Sequence, residues 1–305
     1  MKVNKNILII KGGYSEEAEV SRNTAVNVEK ALKLKGYRTK SLEVDKNFFH
    51  WLLNNRKEVD VVFNALHGFW GEDGKVQGLL ECLKIPYTHS GVSASAIGMN
   101  KYLSKNIFMT HGMNVPKGYI INKNKITKKE PLDRPFIIKP VSEGSSLGIH
   151  LIKKKDSLKK IISKLKINNF LIEEFIPGND ITVAVINGKP LGILEVLINQ
   201  DIYSYDAKYK SKNTKYIIPN NLSEKTIKNI LSASEKSFKL LNCRGVARVD
   251  FRINKNSKKE DFFLLEINTQ PGLTKNSLLP RIAKNSGIEF PDLIELIIND
   301  AGLKK

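Results

Sequence analysis

Polar side chains occupy alternate positions in two short apolar segments near the C-terminal end of the chain. One segment carries Arg248 and Asp250, and the other carries Glu266 and Asn268. Side chains two positions apart on a strand share a face, so each pattern predicts a strand with its polar pair on one side. The polar residues 254–260 between the segments favour a hairpin connection. We therefore expect the two pairs to lie opposite each other.

Short apolar runs and helix-like segments alternate through the first third of the chain. The first helix is predicted to begin at Ser15, a good N-cap residue, to carry acidic residues in its first turn, and to stop at Gly36. Strand–helix–strand alternation predicts βαβ units and a parallel sheet. The predicted strands span residues 7–10, 38–44, 59–66 and 85–87, and the predicted helices span 15–35 and 75–83.

Farther along the chain, two connections have an unusual composition. Residues 142–148 form a loop rich in glycine and serine between two predicted strands, which favours a hairpin over the strand-to-helix turn of a Walker motif. Residues 201–216 are polar and aromatic, and a loop of that length within a compact domain is usually functional. The other predicted strands span 136–140, 149–152, 170–175 and 181–186, and the other predicted helices span 93–110, 157–165, 223–241, 279–284 and 291–299.

Composition narrows the classes of function that fit this chain. With 305 residues, 41% hydrophobic and 27% charged, the chain suits two or three packed subdomains. No apolar run approaches the ~18 residues of a membrane span, and the first run is too short for a signal peptide. Cys82 and Cys243 lack the spacing of a disulfide framework or zinc site, so a reducing cytoplasm is expected. The net charge of +19 comes from lysines spread along the chain, which argues against a nucleic-acid partner.

The two polar pairs of the predicted hairpin admit two interpretations. Two carboxylates and an amide oxygen beside apolar residues are costly to desolvate without a counter-charge. A divalent cation such as Mg²⁺, which prefers oxygen ligands and binds between carboxylates and nucleotide phosphates, removes that cost. In the alternative, Arg248 pairs with Asp250 and Glu266 on a solvated hairpin. These residues alone do not separate a metal site from an ion-pair face.

Other features are consistent with a binding site but are weak individually. The loop 142–148 can close over phosphates with backbone N–H groups, although such loops are more often flexible turns. Lys139 lies in an apolar strand, so it needs an anionic partner unless it lies at a sheet edge. Glu17 and His67 sit near strand ends, where open α/β sheets bind ligands, yet a first-turn acid and a structural histidine are the commoner roles. The tyrosine-rich residues 201–216 are the candidate lid.

Taken together, several segments resemble the D-alanine–D-alanine ligases, members of the ATP-grasp superfamily. They occur in the family's order over nearly the full length, and their combination is far more specific than any one segment. The matching segments are GGYSEEAEVS at 12–21, ALHG at 65–68, GEDG at 71–74, YTHSGV at 87–92, KP and EGSS within 139–146, DAKY at 206–209, RVD at 248–250 and LEINTQPG at 265–272.

The resemblance implies roles for individual residues on the amino-acid side of the site. Glu17 would hold the ammonium of the first D-alanine, with Ser145 and Tyr209 in its hydrogen-bonding network. His67 would lie near the carboxylate of that D-alanine. The oxyanion site would be formed by Arg248 and the N–H of Gly272, and the carboxylate of the second D-alanine would be received by Ser277 and Leu278.

The resemblance also implies a nucleotide and metal site. ATP would be the co-substrate, with two Mg²⁺ ions, or Mn²⁺ in their place, bound by Asp250, Glu266 and Asn268. The residues implied to contact ATP are Lys101, Lys139, Ser146, Glu173, Phe175, Ile176, Asp180 and Lys208.

The implied fold is α/β, with α+β organisation in the C-terminal part. It comprises an open parallel-sheet domain over residues 1–91, then an ATP-grasp fold with a central subdomain over 92–172 and a C-terminal subdomain over 173–305 that holds the metal site and the lid loop. The implied reaction joins two D-alanines through a D-alanyl phosphate and supplies peptidoglycan precursor synthesis. The implied partners are D-alanine and a second copy in a homodimer, with no nucleic acid and no membrane.

Three positions depart from the family pattern. Ala18 stands where a basic residue is expected, Asn100 where Asp is usual, and Asp180 where Glu is usual. The last change could lengthen a ribose contact, but none of the three removes a reacting group. Tyr209, rather than Phe, fits dipeptide formation better than formation of D-alanyl-D-lactate.

Two other functions stay open on these residues. One is an ATP-grasp ligase with a different amino-acid pair, which product identity would separate. The other is a nucleotide-binding regulatory module with a degenerate site. The complete set of charged site residues argues against the second; these are Glu17, Lys139, Lys208, Arg248, Asp250 and Glu266.

Overall fold

A computed structural model describes residues 5–125, 130–204, 207–208, 211, 213–254, 256–274 and 277–304. Its strands are β1 (Asn6–Gly12), β2 (Arg38–Val44), β3 (Val61–Asn64), β4 (Gly118–Asn122), β5 (Phe136–Pro140), β6 (His150–Ile152), β7 (Asn169–Glu174), β8 (Asp180–Ile186), β9 (Lys189–Leu197), β10 (Lys215–Ile217), β11 (Val246–Ile253) and β12 (Phe262–Asn268). Its helices are α1 (Ala18–Leu34), α2 (Phe48–Asn55), α3 (Lys75–Cys82), α4 (Val92–Met99), α5 (Lys101–Thr110), α6 (Leu158–Lys164), α7 (Glu224–Leu240), α8 (Leu278–Asn285) and α9 (Phe290–Asn299).

The N-terminal part contains a parallel sheet, as predicted, and its strand order is β2-β1-β3. The expected strand at 85–87 is only a pair of isolated bridges, which Tyr87 makes to Val62 and Gly302. The expected cap at Ser15 is wrong, because α1 begins at Ala18 with Glu17 in the N-cap position. The hydroxyl of Ser15 instead donates to the His67 carbonyl at 2.6 Å and ties the turn after β1 to the end of β3.

Two antiparallel sheets make up the rest of the fold and confirm its α+β organisation. One has the order β4-β7-β5-β6 and the other β10-β9-β8-β11-β12. Strand β4 was not predicted because most of its residues are exposed, with Tyr119 and Ile120 each 40% exposed, and only its last two residues are partly buried. Strand β9 was also missed, since Pro190 and Gly192 interrupt its apolar pattern.

The single helix predicted over 93–110 is wrong, because the structure has two helices that meet at Asn100. Asn100 has an extended backbone, with ψ of 97°, and its side chain accepts a hydrogen bond from the Leu103 N–H at 3.1 Å. Asn is among the best N-cap residues, so this departure from the family's Asp keeps the helix start capped. The break makes Lys101 the first residue of α5.

The largest buried cluster joins the two ends of the chain. Apolar side chains of β1 and α1, such as Ile9 and Val28, pack in the same core as Leu293 and Ile297 of α9. A second core lies between α7 and the five-stranded sheet and includes Ile230. None of the helices in the described part of the chain has the length and apolarity needed to cross a membrane.

Candidate active site

Two adjoining cavities collect every predicted site residue that the structure describes. The polar cavity alone is lined by Glu17, His67, Lys101, Ser145, Arg248, Asn268, Gly272 and Ser277. The apolar cavity alone is lined by Lys139, Ser146, Glu173, Phe175, Ile176, Asp180 and Asp250. Lys208, Glu266 and Leu278 line both cavities and mark their junction, together with Tyr203. Tyr209 lies outside the described residues.

The junction of the cavities is strongly charged. Glu266 lies 3.3 Å from the ammonium of Lys101. Burial would raise the pKa of Glu266, but surrounding cations hold that pKa well below its ordinary value. Burial lowers the pKa of Lys208, and Glu266 opposes that shift. The cations around Glu266 are Lys101, Lys139, Lys208 and Arg248.

One end of the polar cavity is built on buried acids and a histidine. The hydroxyl of Ser145 donates to Glu17, whose pKa is raised by burial and by the nearby charge of Glu72. The His67 ring lies 3.0 Å from Glu72 through Nδ1 and 3.0 Å from Thr24 through Nε2. Glu72 was not predicted as a site residue, although it stands in the GEDG segment that carried the family resemblance.

The loop between β5 and β6 closes over Glu17, and its flanking strands pair antiparallel as predicted. Ser145 and Ser146 have positive φ of 49° and 58°, a region that non-glycine residues rarely adopt. A Cβ on Gly144 would stand 2.6 Å from a carboxylate oxygen of Glu17. The absence of a side chain at Gly144 therefore lets the loop backbone approach Glu17, and this approach brings the hydroxyl of Ser145 into contact with the acid.

A triad of buried charges lies beside the apolar cavity, which is lined by two of its members, Lys139 and Glu173. Glu173 is 2% exposed, and its two oxygens accept from Lys105 and, at 2.6 Å, from Lys139. Lys139 is thus buried beside an anionic partner, as expected, and does not lie at a sheet edge. Burial would raise the pKa of Glu173, but the two lysines lower it. Lys105 was not predicted as a site residue, because the helical pattern of α5 does not indicate that its ammonium pairs with a buried carboxylate.

The triad carries two cations and one anion, so one lysine is poorly compensated. Burial lowers the pKa of Lys105 to about 7, although Glu173 opposes the shift. Between pH 7 and 10.5, the unfolded chain then holds a proton at Lys105 that the folded chain has released. Burying the charged form of Lys105 destabilises the fold, and this cost is fully present below pH 7. As the pH rises toward 10.5 the cost fades, and the free energy of unfolding increases by at most about 1.4 kcal/mol per pH unit.

Replacing Lys105 with Met should therefore remove this pH dependence. We expect the wild-type protein to gain stability relative to Lys105→Met as the pH rises from 7 to 10. The difference between the two urea unfolding midpoints measures this gain. The matched control is Lys30→Met, on the exposed side of α1, whose difference from wild type should stay constant. A constant difference for Lys105→Met as well would mean that Lys105 keeps its proton in the fold.

The predicted hairpin is confirmed, with Arg248 opposite Asn268 and Asp250 opposite Glu266 in the antiparallel register. Arg248 donates through Nε and Nη2 to Asp250 at 2.9 and 2.8 Å, and Thr182 donates to the same carboxylate at 2.7 Å. The side chains of Arg248 and Asp250 are only 12% and 18% exposed. The ion pair of the alternative interpretation is therefore present, but it is largely buried between the two cavities, with Arg248 lining the polar one and Asp250 the apolar one, and it does not lie on a solvated face.

The far end of the polar cavity is formed by the turn before α8. A Cβ on Gly272 would stand 2.9 Å from the hydroxyl oxygen of Ser277, so a side chain there would displace that hydroxyl. Ser277 occupies the N-cap position of α8, and its hydroxyl accepts from the Thr274 N–H at 3.1 Å. The turn thus places Gly272 and the hydroxyl of Ser277 at one wall of the polar cavity.

Comparison with known proteins identifies the family of this chain. Residues 107–299 match the family described as D-ala D-ala ligase C-terminus, and residues 51–90 match D-ala D-ala ligase N-terminus. This chain belongs to the D-alanine–D-alanine ligase family. A ligase-family relative from Pelagibacter ubique is 43% identical, over 99% of this chain and 100% of the relative. One from Zymomonas mobilis is 39% identical, over 99% of this chain and 95% of the relative.

Solved structures of D-alanine–D-alanine ligases share the fold. The enzyme from Bacillus anthracis, complexed with ATP, superposes with a TM-score of 0.83 at 30% identity, over 97% of each chain. The enzyme from Coxiella burnetii has a TM-score of 0.81 at 26% identity, over 97% of this chain and 93% of that chain. The ATP-grasp architecture inferred from the sequence is therefore confirmed.

Among the departures from the family pattern, Asp180 is paired with a buried arginine in the structure. Its carboxylate accepts from Arg252 at 3.1 Å. Burial raises the pKa of Asp180, and Arg252 opposes that shift. Ala18 is the first residue of α1, and nothing in the structure explains its replacement of a basic residue.

Proposed function

We propose that this protein catalyses the ATP-dependent ligation of two D-alanines to D-alanyl-D-alanine, which supplies peptidoglycan precursor synthesis. The observation that carries the proposal is the junction at Lys208 and Glu266, where the polar and apolar cavities share their walls. A nucleotide in the apolar cavity would direct its phosphates into the junction, and an amino acid in the polar cavity would direct its carboxylate there. Membership in the ligase family supports this assignment.

The first step activates a carboxylate, which is a poor electrophile. A carboxylate oxygen of the first D-alanine attacks the γ-phosphorus of ATP, the bond to the β-phosphate oxygen breaks, and D-alanyl phosphate and ADP form. Phosphoryl transfer needs mainly in-line positioning and neutralised charge. Lys101 and Lys139 would face the inner phosphates and Lys208 the γ-phosphate, while Ser146 would donate from the loop. At the nucleoside end, the residues proposed to line ATP are Glu173, Phe175, Ile176 and Asp180.

Glu17 would hold the ammonium of the first D-alanine, with Ser145 fixing the carboxylate and His67 near the substrate's own carboxylate. Burial raises the pKa of Glu17 in the free protein. An arriving ammonium supplies the counter-charge that favours the ionised form of this acid. The network would be completed by Tyr209, which lies outside the described residues.

The second step forms the peptide bond. The neutral amine of the second D-alanine attacks the acyl carbon, and the tetrahedral intermediate expels inorganic phosphate. The oxyanion of that intermediate would be met by Arg248 and the Gly272 N–H, groups that are already in place before reaction. Ser277 and Leu278 would hold the carboxylate of the attacking D-alanine. Because an acyl phosphate hydrolyses in water, the segment 201–216 is proposed to close as a lid.

The residues at the junction also fit Mg²⁺. In the described part of the chain no group of three or more His, Cys, Asp and Glu side chains gathers as a metal site. The candidate donors are instead two carboxylates that face each other in the strand register, Asp250 and Glu266, with the amide oxygen of Asn268. Hard oxygen donors of this kind suit Mg²⁺, or Mn²⁺ in its place. Two such ions, when bound, would neutralise phosphate charge.

The proposed function also includes a division into domains, an oligomeric state, a substrate and a cellular location. The division into residues 1–91, 92–172 and 173–305 follows the three sheets, with the second boundary inside β7, which ends at Glu174. A homodimer, D-alanine as the small-molecule substrate and a cytoplasmic location are proposed from the family. The proposal includes no nucleic-acid or membrane partner.

The deciding experiment measures ADP release from ATP and Mg²⁺ with D-alanine, with L-alanine as the control and mass spectrometry of the product. D-alanine-dependent turnover with a dipeptide mass is expected. Turnover with another amino acid alone would discard the substrate assignment and keep an ATP-grasp carboxylate–amine ligase. ATP binding without turnover on any acceptor would indicate a degenerate nucleotide-binding module.

A further inference from the structure

Arg252 extends the alternating polar face of β11 beyond Arg248 and Asp250. These three side chains are spaced two apart and therefore share one side of the strand. Arg248 lines the polar cavity, and Asp250 and Arg252 line the apolar cavity. Arg252 is buried, with 7% exposure, and it stands directly opposite Asp180 of β8 in the antiparallel register.

The guanidinium of Arg252 connects the segment 175–180 to Asp201, which lies farther along the chain. Nε donates to the Ile176 carbonyl at 2.6 Å, and Nη1 donates to the Asp180 carboxylate at 3.1 Å. Nη2 donates to the Asp201 carbonyl at 2.5 Å. The guanidinium carbon also lies 5.1 Å from the centre of the Phe175 ring, within cation–π range.

These contacts converge on residues that wall the proposed nucleotide site. The segment 175–180 comprises the connection from β7 to β8 and the first residue of β8, and it contributes Phe175, Ile176 and Asp180 to the apolar cavity. Asp201 begins the segment proposed as the lid, and Ile202 lines the same cavity. A single rigid fork therefore fixes the backbone and the acid of the nucleotide wall against the base of the proposed lid.

We propose that Arg252 is a positioning residue of the nucleotide site, which holds the segment 175–180 and the start of the segment at 201 in the arrangement that binds ATP. The inference rests on the proposed function only in naming ATP as the ligand. Arg252 acts through Ile176, Asp180 and Phe175 and is not assigned to the reacting atoms. Its loss should therefore weaken nucleotide binding and leave the acyl-transfer machinery in place.

The choice of arginine at this position follows from the three acceptors. Two carbonyls and one carboxylate are arranged around a planar group, and each receives a different N–H. A lysine ammonium on a flexible stem cannot present this fork, so Arg252→Lys would keep the charge but lose part of the positioning. Without a cation, the buried Asp180 would be left unpaired, and a buried unpaired carboxylate tends to take up a proton.

The test compares Arg252→Met and Arg252→Lys with the wild-type protein. Calorimetry measures the Kd for ATP, and steady-state ADP release measures the KM for ATP, the KM for D-alanine and kcat at saturating ATP. For Arg252→Met we expect the Kd and KM for ATP to rise by about tenfold or more, with kcat and the KM for D-alanine within about threefold of wild type. The preference for ATP over 2′-deoxy-ATP and 3′-deoxy-ATP should also decrease, because Asp180 is no longer held.

Asp180→Asn and the double variant test the route of the effect. Since Arg252 and Asp180 are in contact, the double variant should bind ATP little worse than Arg252→Met alone, whereas independent sites would give additive losses. The matched control is Arg244→Met, a surface arginine before β11 whose guanidinium pairs with Asp300. Its ATP affinity should equal that of wild type.

Each outcome decides one of the two proposals. A fall in kcat at saturating ATP with unchanged ATP affinity would overturn the role of Arg252. Weaker ATP binding by Arg252→Met, in a protein that gives no D-alanine turnover even as wild type, would support Arg252 and overturn the proposed function. If Arg252→Met does not fold, Arg252→Lys carries the test, and unchanged ATP affinity in that variant would contradict the inference.

Discussion

Glu266→Gln is expected to lower kcat for D-alanine-dependent ADP release by about a thousandfold, while the fold is kept. Glu266 is the anion at the junction of the two cavities, and it is one of the proposed oxygen donors for Mg²⁺. A neutral amide keeps the shape but loses the charge that holds the cation. Several kcal/mol of transition-state stabilisation depend on a bound metal, and each tenfold in rate corresponds to about 1.4 kcal/mol.

The same substitution changes the electrostatics of the free protein. Glu266 compensates the four cations around it, and its pKa is held well below the ordinary value. Glu266→Gln leaves those cations facing one another, so the variant should lose some thermal stability in the absence of nucleotide. Saturating ATP should restore part of this loss, because the triphosphate brings negative charge to the same cations.

The matched control is Glu235→Gln, the same chemical change on the exposed face of α7, where Glu235 pairs with Lys239. Turnover of that control should match wild type. The comparison needs kcat, the thermal midpoint and Mg²⁺ titration of activity for both variants. An unchanged kcat for Glu266→Gln would remove Glu266 from the metal site and from the reaction.

Arg248→Lys is expected to lower kcat for dipeptide formation by about 10²–10³-fold, the usual effect of losing one oxyanion donor. Burial would lower the pKa of Arg248, but Asp250 and Glu266 raise it far above its ordinary value, so the group stays charged. Its Nε and Nη2 hold Asp250, and in the described part of the chain no hydrogen bond engages its Nη1. That nitrogen is the donor we assign to the oxyanion.

Lysine keeps the positive charge but cannot hold both oxygens of Asp250 and also reach a third acceptor. The affinity for ATP should therefore change little, while kcat falls, which separates this variant from Arg252→Met. Arg56→Lys is the control, because Arg56 is exposed on the 3₁₀ turn before β3. If dipeptide formation by Arg248→Lys proceeds at the wild-type rate, another group stabilises the oxyanion.

Part of the positive charge of the chain lies in the interior of this site. A net charge of +19 at the sequence level did not point to nucleic acid, because the lysines form no single stripe. In the fold, however, cations from α5, β5, the 201–216 segment and β11 converge on the junction, where they outnumber the acids Asp250 and Glu266. An excess of buried positive charge suits a triphosphate ligand.

The local sequence pattern was sufficient to predict the elements whose apolar residues recur at regular spacing. The parallel N-terminal sheet and the β11–β12 hairpin followed from apolar runs and alternation alone, whereas the strand order β2-β1-β3 came from the structure. The pattern was insufficient for β4, whose first three residues are exposed, and for β9, where Pro190 and Gly192 interrupt the apolar pattern. The sequence pattern also merged α4 and α5 into one helix. Asn does not by itself break a helix, so the sequence did not reveal that Asn100 caps the start of α5.

The sequence by itself determined the family and the polar faces of β11 and β12, and through the family resemblance it proposed a set of site residues. Only the tertiary structure decided their partners: Glu173 between Lys105 and Lys139, Glu72 beside His67, and Arg252 between Asp180 and Asp201. The physical reason is that strand alternation specifies the side on which a charge points. The neighbour that compensates this charge comes from a distant segment, and its position depends on how sheets and helices pack.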